Sequence, residues 1–188
     1  KLEGLQGEAV YTLLEDALLK VSADKETFKK HLSGNLYDDN KAVCRFVLCA
    51  LEENHMTRES ERDLWQMKGA QFIWTIEHIF PQGKNIPQDW VDMMAGGDAV
   101  VANQYLESHV HKLGNLTISG YNSKLGTKGF IDKRDRLDHK NRPVGYNNGL
   151  YLNGKLAKAD EWSIKAIDDR TEELVCLVLE LFSLPELV

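Results

Sequence analysis

The stretch from Phe72 to Asn122 restricts the possible folds more than any other part of the chain. It opens with Phe72-Ile73-Trp74-Thr75-Ile76-Glu77-His78-Ile79-Phe80-Pro81, a run that alternates with period two. As a strand it places Phe72, Trp74, Ile76 and His78 on one face and Ile73, Thr75, Glu77 and Ile79 on the other. Pro81 marks its end, since proline cannot donate to a ladder. The stretch closes with His111-Lys112-Leu113-Gly114-Asn115-Leu116-Thr117-Ile118-Ser119-Gly120-Tyr121-Asn122. Here Leu116–Ile118 reads as a brief second strand, Ser119-Gly120 as a turn and Asn122 as a helix cap. Strand, strand and helix thus carry an imidazole, a carboxylate and two carboxamides. One difficulty follows from the geometry. Adjacent Glu77 and His78 point apart in a regular strand, so both serve one site only if the strand end is distorted; otherwise Glu77 is structural.

The flanking segments read as helices. Val10, Leu13, Leu14, Ala17, Leu18 and Val21 recur at helical spacing over 7–21, and a second helix follows Ser22 or Asp24 to Leu32. After the break at Ser33-Gly34-Asn35, Asp38-Asp39 leads a third helix with Ala42, Val43, Phe46, Val47, Ala50 and Leu51 in its stripe, leaving Cys44 and Cys49 off its centre. Gln88–Ala95 is a short helix stopped by Gly96-Gly97, and Asp98 caps another to about Glu107. Phe130 to Leu137 resumes helically, 141–154 is loop, and Asp160 caps a long last helix with Ile164, Ile167, Leu174, Val178 and Leu181 inward. Arg170 falls within that stripe. A guanidinium facing inward needs a partner, either a carboxylate pinning the helix or a phosphate. Residues 1–70 hold no reactive constellation and read as a helical buttress for 71–188.

Charge and cysteine usage narrow the chemistry. The net charge of −6 disfavours a nucleic-acid binder taken as a sum. The distribution differs: from His111 to Arg142 eight Lys or Arg face three Asp, a net +5 that leaves −11 for the rest. The basic block begins where the candidate site does, as a phosphate backbone would require, although a charge run is also the usual make-up of a solvated face. Cys44, Cys49 and Cys176 form no CxxC pair, which argues for a reducing cytoplasm and against a structural zinc. The longest apolar run, Leu174–Leu179, is far below the roughly 20 residues of a membrane span. The chain begins at Lys1 without an initiator Met and is read as a fragment of a longer, soluble protein.

Glu77-His78-Ile79-x-Pro81, Leu113-Gly114-Asn115-Leu116-Thr117, Asn122, and the trailing Phe130 and Lys133 resemble the HNH (ββα-metal, His-Me finger) nuclease superfamily, and within it the C-terminal domain of GmrSD-type modification-dependent restriction endonucleases. The helix around Trp162–Arg170 also fits that family's tail, so the resemblance covers most of the chain. It implies an α+β, mostly helical fold: a ββα-metal core with N-terminal helices and a long C-terminal helix packed around it. It further implies a metal-dependent DNA endonuclease acting against foreign or modified DNA, with an NTP-using N-terminal domain as partner. Phosphodiester hydrolysis needs an activated water and neutralisation of charge on the phosphoryl oxygens. His titrates near 6.5 unperturbed, so His78 suits the general base. Magnesium, or manganese, takes one or two protein oxygens and keeps water and phosphate in the rest of its shell. In the resemblance Glu77 and Asn122 hold that metal and Asn115 orients the base. Glu77 stands where many members carry Asp, and its extra methylene leaves direct or water-mediated ligation open. His111 completes the site, contacts phosphate or stabilises the turn. Lys128, Lys133 and Arg170 are candidate phosphate contacts, with a solvated surface as the other reading of Lys133. Two other functions compete: a zinc hydrolase using His78, His109 and His111, since His-x-His is a zinc spacing, and a non-catalytic nucleic-acid-binding or docking module.

Overall fold

A computed structural model describes residues 4–183. The N-terminal helices are α1 (Glu8–Val21), α2 (Lys25–Ser33), α3 (Leu36–Asp39) and α4 (Lys41–Glu53). Asp24 caps α2 through the backbone N–H of Thr27, and Asn40 caps α4 through those of Ala42 and Val43. The strands are short: β1 (Met67–Lys68) with β2 (Gln71–Phe72), then β3 (Thr75–His78) with β4 (Leu116–Ser119), both pairs antiparallel. Between β3 and β4 lie α5 (Gln88–Ala95) and α6 (Ala99–His109); after β4 come α7 (Asn122–Leu125), α8 (Phe130–Arg134) and the long α9 (Ile164–Leu181). The chain is therefore mostly helical α+β with small antiparallel sheets, and no described helix is long and apolar enough to cross a membrane.

The β3–β4 ladder separates two apolar clusters. On one side Leu116 and Ile118 of β4 pack with Leu32, Leu48, Val175 and Val178 from α2, α4 and α9. On the other, Ile79 and Phe80 pack with Trp90, Phe130, Tyr146, Trp162 and Ile167. Each fully buried side chain of this size contributes about 1.5–3 kcal/mol. The hairpin is held from both faces, and the residues at its end have little freedom.

α9 locks onto the same hairpin. The Arg170 guanidinium donates to the carbonyls of Gly114 (2.6 Å), Leu116 (2.8 Å) and Leu152 (3.0 Å). The inward arginine thus finds peptide oxygens rather than a carboxylate or a phosphate. Gly114 allows this approach, because a Cβ there would collide with the Ile167 carbonyl and with Thr171 on α9. The Gly114 N–H donates to Thr171 Oγ1 at 3.1 Å, closing the contact.

Several local expectations need correction. The alternating run is broken at Ile73-Trp74 into β2 and β3, because Phe72 belongs to the β1 pairing and Thr75 to β4. In α4 Cys44 and Cys49 are fully buried while Val43 and Phe46 are exposed; the inner face is rotated so that Arg45 can donate to the Leu64 and Trp74 carbonyls and Glu52 can accept from the N–H groups of Tyr151 and Leu152. α1 forms, but none of its residues is buried. Ser163 rather than Asp160 caps α9, since Asp160 is drawn to Arg134 at 2.9 Å. Asn122 begins α7 instead of capping it, and its side chain turns to β3.

Candidate active site

β3 stays regular to its end, pairing Glu77 with Thr117 and His78 with Leu116. Adjacent side chains therefore leave the strand on opposite faces, and each meets its own set of neighbours.

The Glu77 side meets α8. Lys133 is fully buried, and its Nζ donates to Glu77 Oε1 at 2.7 Å, to the His78 carbonyl at 2.7 Å and to the Ile79 carbonyl at 3.1 Å. All three ammonium protons are spent on three consecutive residues of the β3 terminus. Burial raises the Glu77 pKa to about 7 and lowers that of Lys133, and their ion pair opposes both shifts. Only Oε1 of Glu77 is engaged in this way; Oε2 has no hydrogen-bond partner among the described residues, although it is not sealed from solvent.

The His78 side meets α3 and the turn before β4. Its Nε2 lies 3.2 Å from Nδ1 of His111, a hydrogen bond in which one ring donates and the other accepts. The Tyr37 ring stands edge-on to His78, with centroids 4.6 Å apart, and stacks on His111 at 5.2 Å. Burial, reinforced by His111 and by the cations Lys133 and Lys41, pushes the His78 pKa down to about 3. The imidazole is consequently neutral across the physiological range. His109 points elsewhere, with Nδ1 2.7 Å from Ser108 Oγ and Nε2 3.5 Å from Asp168.

Asn115 sits beneath this end of β3 and is inaccessible. Its Oδ1 accepts from the Phe80 N–H (2.8 Å) and the Trp162 indole N–H (3.2 Å), while Nδ2 donates to the carbonyls of Phe80 (2.9 Å) and Val110 (3.0 Å). Its own carbonyl accepts from the Ile79 N–H at 2.9 Å. Every polar atom of that carboxamide is used, so Asn115 acts on the backbone just after His78 and not on a ligand.

Asn122 is arranged differently. Its Nδ2 donates to the Ile76 carbonyl at 2.6 Å and to Thr75 Oγ1 at 3.2 Å. A carbonyl acceptor so close fixes which end of the amide is nitrogen, and Oδ1 is left without a partner among the described residues. Ile76, Glu77, His78, Pro81, Gln82, Asn122, Gly126 and Thr127 line one cleft of about 200 Å³. That is below the size of a typical organic-ligand pocket.

Of the other predicted residues, Lys128 is exposed and follows Thr127, which lines the cleft. Lys133 and Arg170 are buried, and the hydrogen bonds they make go to the protein. Tyr37 was not legible as a site residue: nothing in the spacing of the N-terminal third marks it, and it reaches His78 only through the tertiary packing of α3. Trp162 was visible only as part of a helical tail, and its bond to Asn115 crosses 47 positions.

No three His, Cys, Asp or Glu side chains come together as a metal-holding group among the described residues. The three histidines of the zinc alternative are accordingly not gathered into one group, His109 turning to Ser108 and Asp168. One carboxylate oxygen and one carboxamide oxygen fit a hard cation that keeps most of its water. A strand pair and a short helix carry the polar groups around this cleft. The family description "GmrSD restriction endonucleases, C-terminal domain" matches residues 22–177. The chain belongs to that family, which makes it a restriction-endonuclease domain acting on DNA. No curated protein matches it.

Proposed function

We propose that the chain is a metal-dependent DNA endonuclease domain of the HNH type, with β3, β4 and α7 as its ββα-metal core and His78 as the base that activates water. The observation that carries this reading is the cleft itself. Asn122 and the Glu77–His78 end of β3 border it, the Glu77 and His78 side chains departing on opposite faces of the strand, and neither Asn122 Oδ1 nor Glu77 Oε2 has a hydrogen-bond partner among the described residues. Glu77 and Asn122 would hold Mg2+ or Mn2+, which when bound supplies charge to the phosphoryl and leaving oxygens.

The remaining roles belong to the chain's own groups. His78 accepts the proton of the attacking water in this reading, although burial in the fold makes its imidazole a weaker base than a free one. His111 and Tyr37 hold its ring in place, and His111, half-exposed, also lies against its Nε2. Asn115 and Lys133 fix the backbone of residues 77–80, a positioning role for each. Lys128 contacts phosphate at the mouth of the cleft. DNA is the substrate, and an NTP-using domain elsewhere in the same protein or complex is the expected partner; the action takes place in the cytoplasm on foreign or modified DNA. Supercoiled plasmid should be nicked or linearised in Mg2+ or Mn2+ and remain intact with chelator. His78→Ala should abolish cutting while its unfolding transition stays cooperative; cutting at the wild-type rate would refute the assignment of the base.

A further inference from the structure

The basic block sorts into two classes once its partners are known. Lys112 pairs with Asp168, Lys133 with Glu77, Arg134 with Asp135 and Asp160, and Arg142 with Asp138. Among the described residues Lys124, Lys128, Arg136 and Lys140 make no ion pair, so the field of the block is carried by these four. Lys128 directly follows Thr127, which lines the cleft. Lys124 and Arg136 line a second groove of about 450 Å³ with Tyr121, Leu137, Asp138, His139 and Val144.

The two depressions share a wall. α7 presents Asn122 to the cleft and Lys124 to the groove, and Tyr121, one residue before Asn122, opens the groove with its ring exposed. The far wall is a tight hairpin closed by the Leu137–Pro143 bridge. Arg136 is held at its base, where its carbonyl accepts from the N–H groups of Val144 and Gly145. The groove contains one carboxylate, but Asp138 is consumed by its own loop. It accepts from the backbone of Lys140 and Arg142 and from the Arg142 guanidinium at 2.6 Å. Its charge is neutralised and does not oppose an anion.

We propose that this groove is the track for the DNA strand that leaves the catalytic cleft, with Lys124 and Arg136 on successive backbone phosphates and the Tyr121 ring against the sugar or base between them. The direction of the strand rests on the nuclease reading; the binding of DNA by the groove does not. Phosphate contacts of this kind add affinity without sequence preference and make it salt-dependent.

The test is fluorescence anisotropy of a labelled duplex with the full chain in chelator, across a salt series, comparing wild type with Lys124→Gln, Arg136→Gln, their double variant and Lys165→Gln, an exposed control on α9. Each groove substitution should weaken binding about threefold to tenfold and make the log affinity versus log salt line shallower by about 0.9, the double variant by about twice that. Lys165→Gln should leave both unchanged. Unchanged slopes in the groove variants, an equal effect of the control, or no DNA binding by the wild type at low salt each overturn the proposal. Plasmid cutting run in parallel separates it from the nuclease reading. A wild type that cuts while groove variants bind normally removes the groove alone, whereas weakened binding with no cutting in Mg2+ or Mn2+ keeps the groove and removes the nuclease.

Discussion

Lys133→Met decides whether the lysine of α8 is a pillar of the site or a contact to DNA. The substitution preserves the apolar stem and removes three hydrogen bonds at once, to Glu77 Oε1 and to the carbonyls of His78 and Ile79. Breaking one side of a buried ion pair costs about 3–5 kcal/mol, because the other charge stays buried without its partner. Glu77 can escape part of that cost by taking a proton, since burial already raises its pKa to about 7. The loss should therefore be larger at pH 8 than at pH 5.5. Adding Glu77→Gln removes the stranded charge, and a double-mutant cycle should show about 1–3 kcal/mol of coupling. Urea unfolding of the four proteins at the two pH values gives these numbers, with DNA affinity measured beside them. A loss below about 1 kcal/mol at both pH values, together with weakened DNA binding, would refute the reasoning and return Lys133 to the phosphate contacts.

Gly114→Ala places a methyl group against the Ile167 carbonyl and Thr171, so α9 must shift; the thermal midpoint should fall by several degrees, equivalent to about 2 kcal/mol or more, and an unchanged midpoint would show the approach to be looser. The Tyr146 hydroxyl is buried without a hydrogen-bond partner among the described residues, so Tyr146→Phe should be neutral or stabilise by about 1 kcal/mol in urea melts, and a loss of about 2 kcal/mol would reveal a bond through water. For pH, His78 is held at about 3 in the fold against about 6.5 unfolded, so the unfolded chain takes up the extra proton between those values. That contribution is present above about pH 6.5 and is lost as pH falls, by about 2 kcal/mol between pH 7 and 5. Glu77, raised to about 7, has the opposite sign, because its proton is bound more firmly in the fold and the burial penalty on its carboxylate fades as pH drops. Since the Glu77 contribution is common to both proteins, His78→Gln should lose about 2 kcal/mol less than wild type over that interval; identical pH profiles would contradict a buried neutral imidazole.

The ladder, the turn chemistry and most helix limits were legible in the sequence because they are local. Period-two alternation located β3, and Gly96 in the left-handed region ends α5 where Gly96-Gly97 was read as a stop. What escaped was the destination of polar groups that cross the fold. Lys133 and Arg170 stood out as cations, yet nothing in the spacing says that one feeds Glu77 and two carbonyls 54 and 55 positions away and the other three carbonyls of distant turns. Tyr37 was invisible for the same reason, since its contact with His78 exists only after α3 docks. The cap of the last helix was read as Asp160, whereas Ser163 accepts from the Ala166 N–H and Asp160 pairs with Arg134, a contact 26 positions away that spacing does not reveal. Asn122 was legible as a polar residue at a helix start, but which end of its amide is free follows only from the Ile76 carbonyl that its nitrogen meets.

The most direct measurement counts divalent ions bound to the cleft. Mn2+ titration followed by electron paramagnetic resonance, on wild type, Asn122→Ala and His78→Ala, asks whether Asn122 Oδ1 belongs to an ion site and His78 does not. One ion in wild type, much weaker binding in Asn122→Ala, and near-normal binding but no cutting in His78→Ala is the predicted result. Equal Mn2+ binding by wild type and Asn122→Ala, or plasmid cutting that persists in chelator, would contradict it.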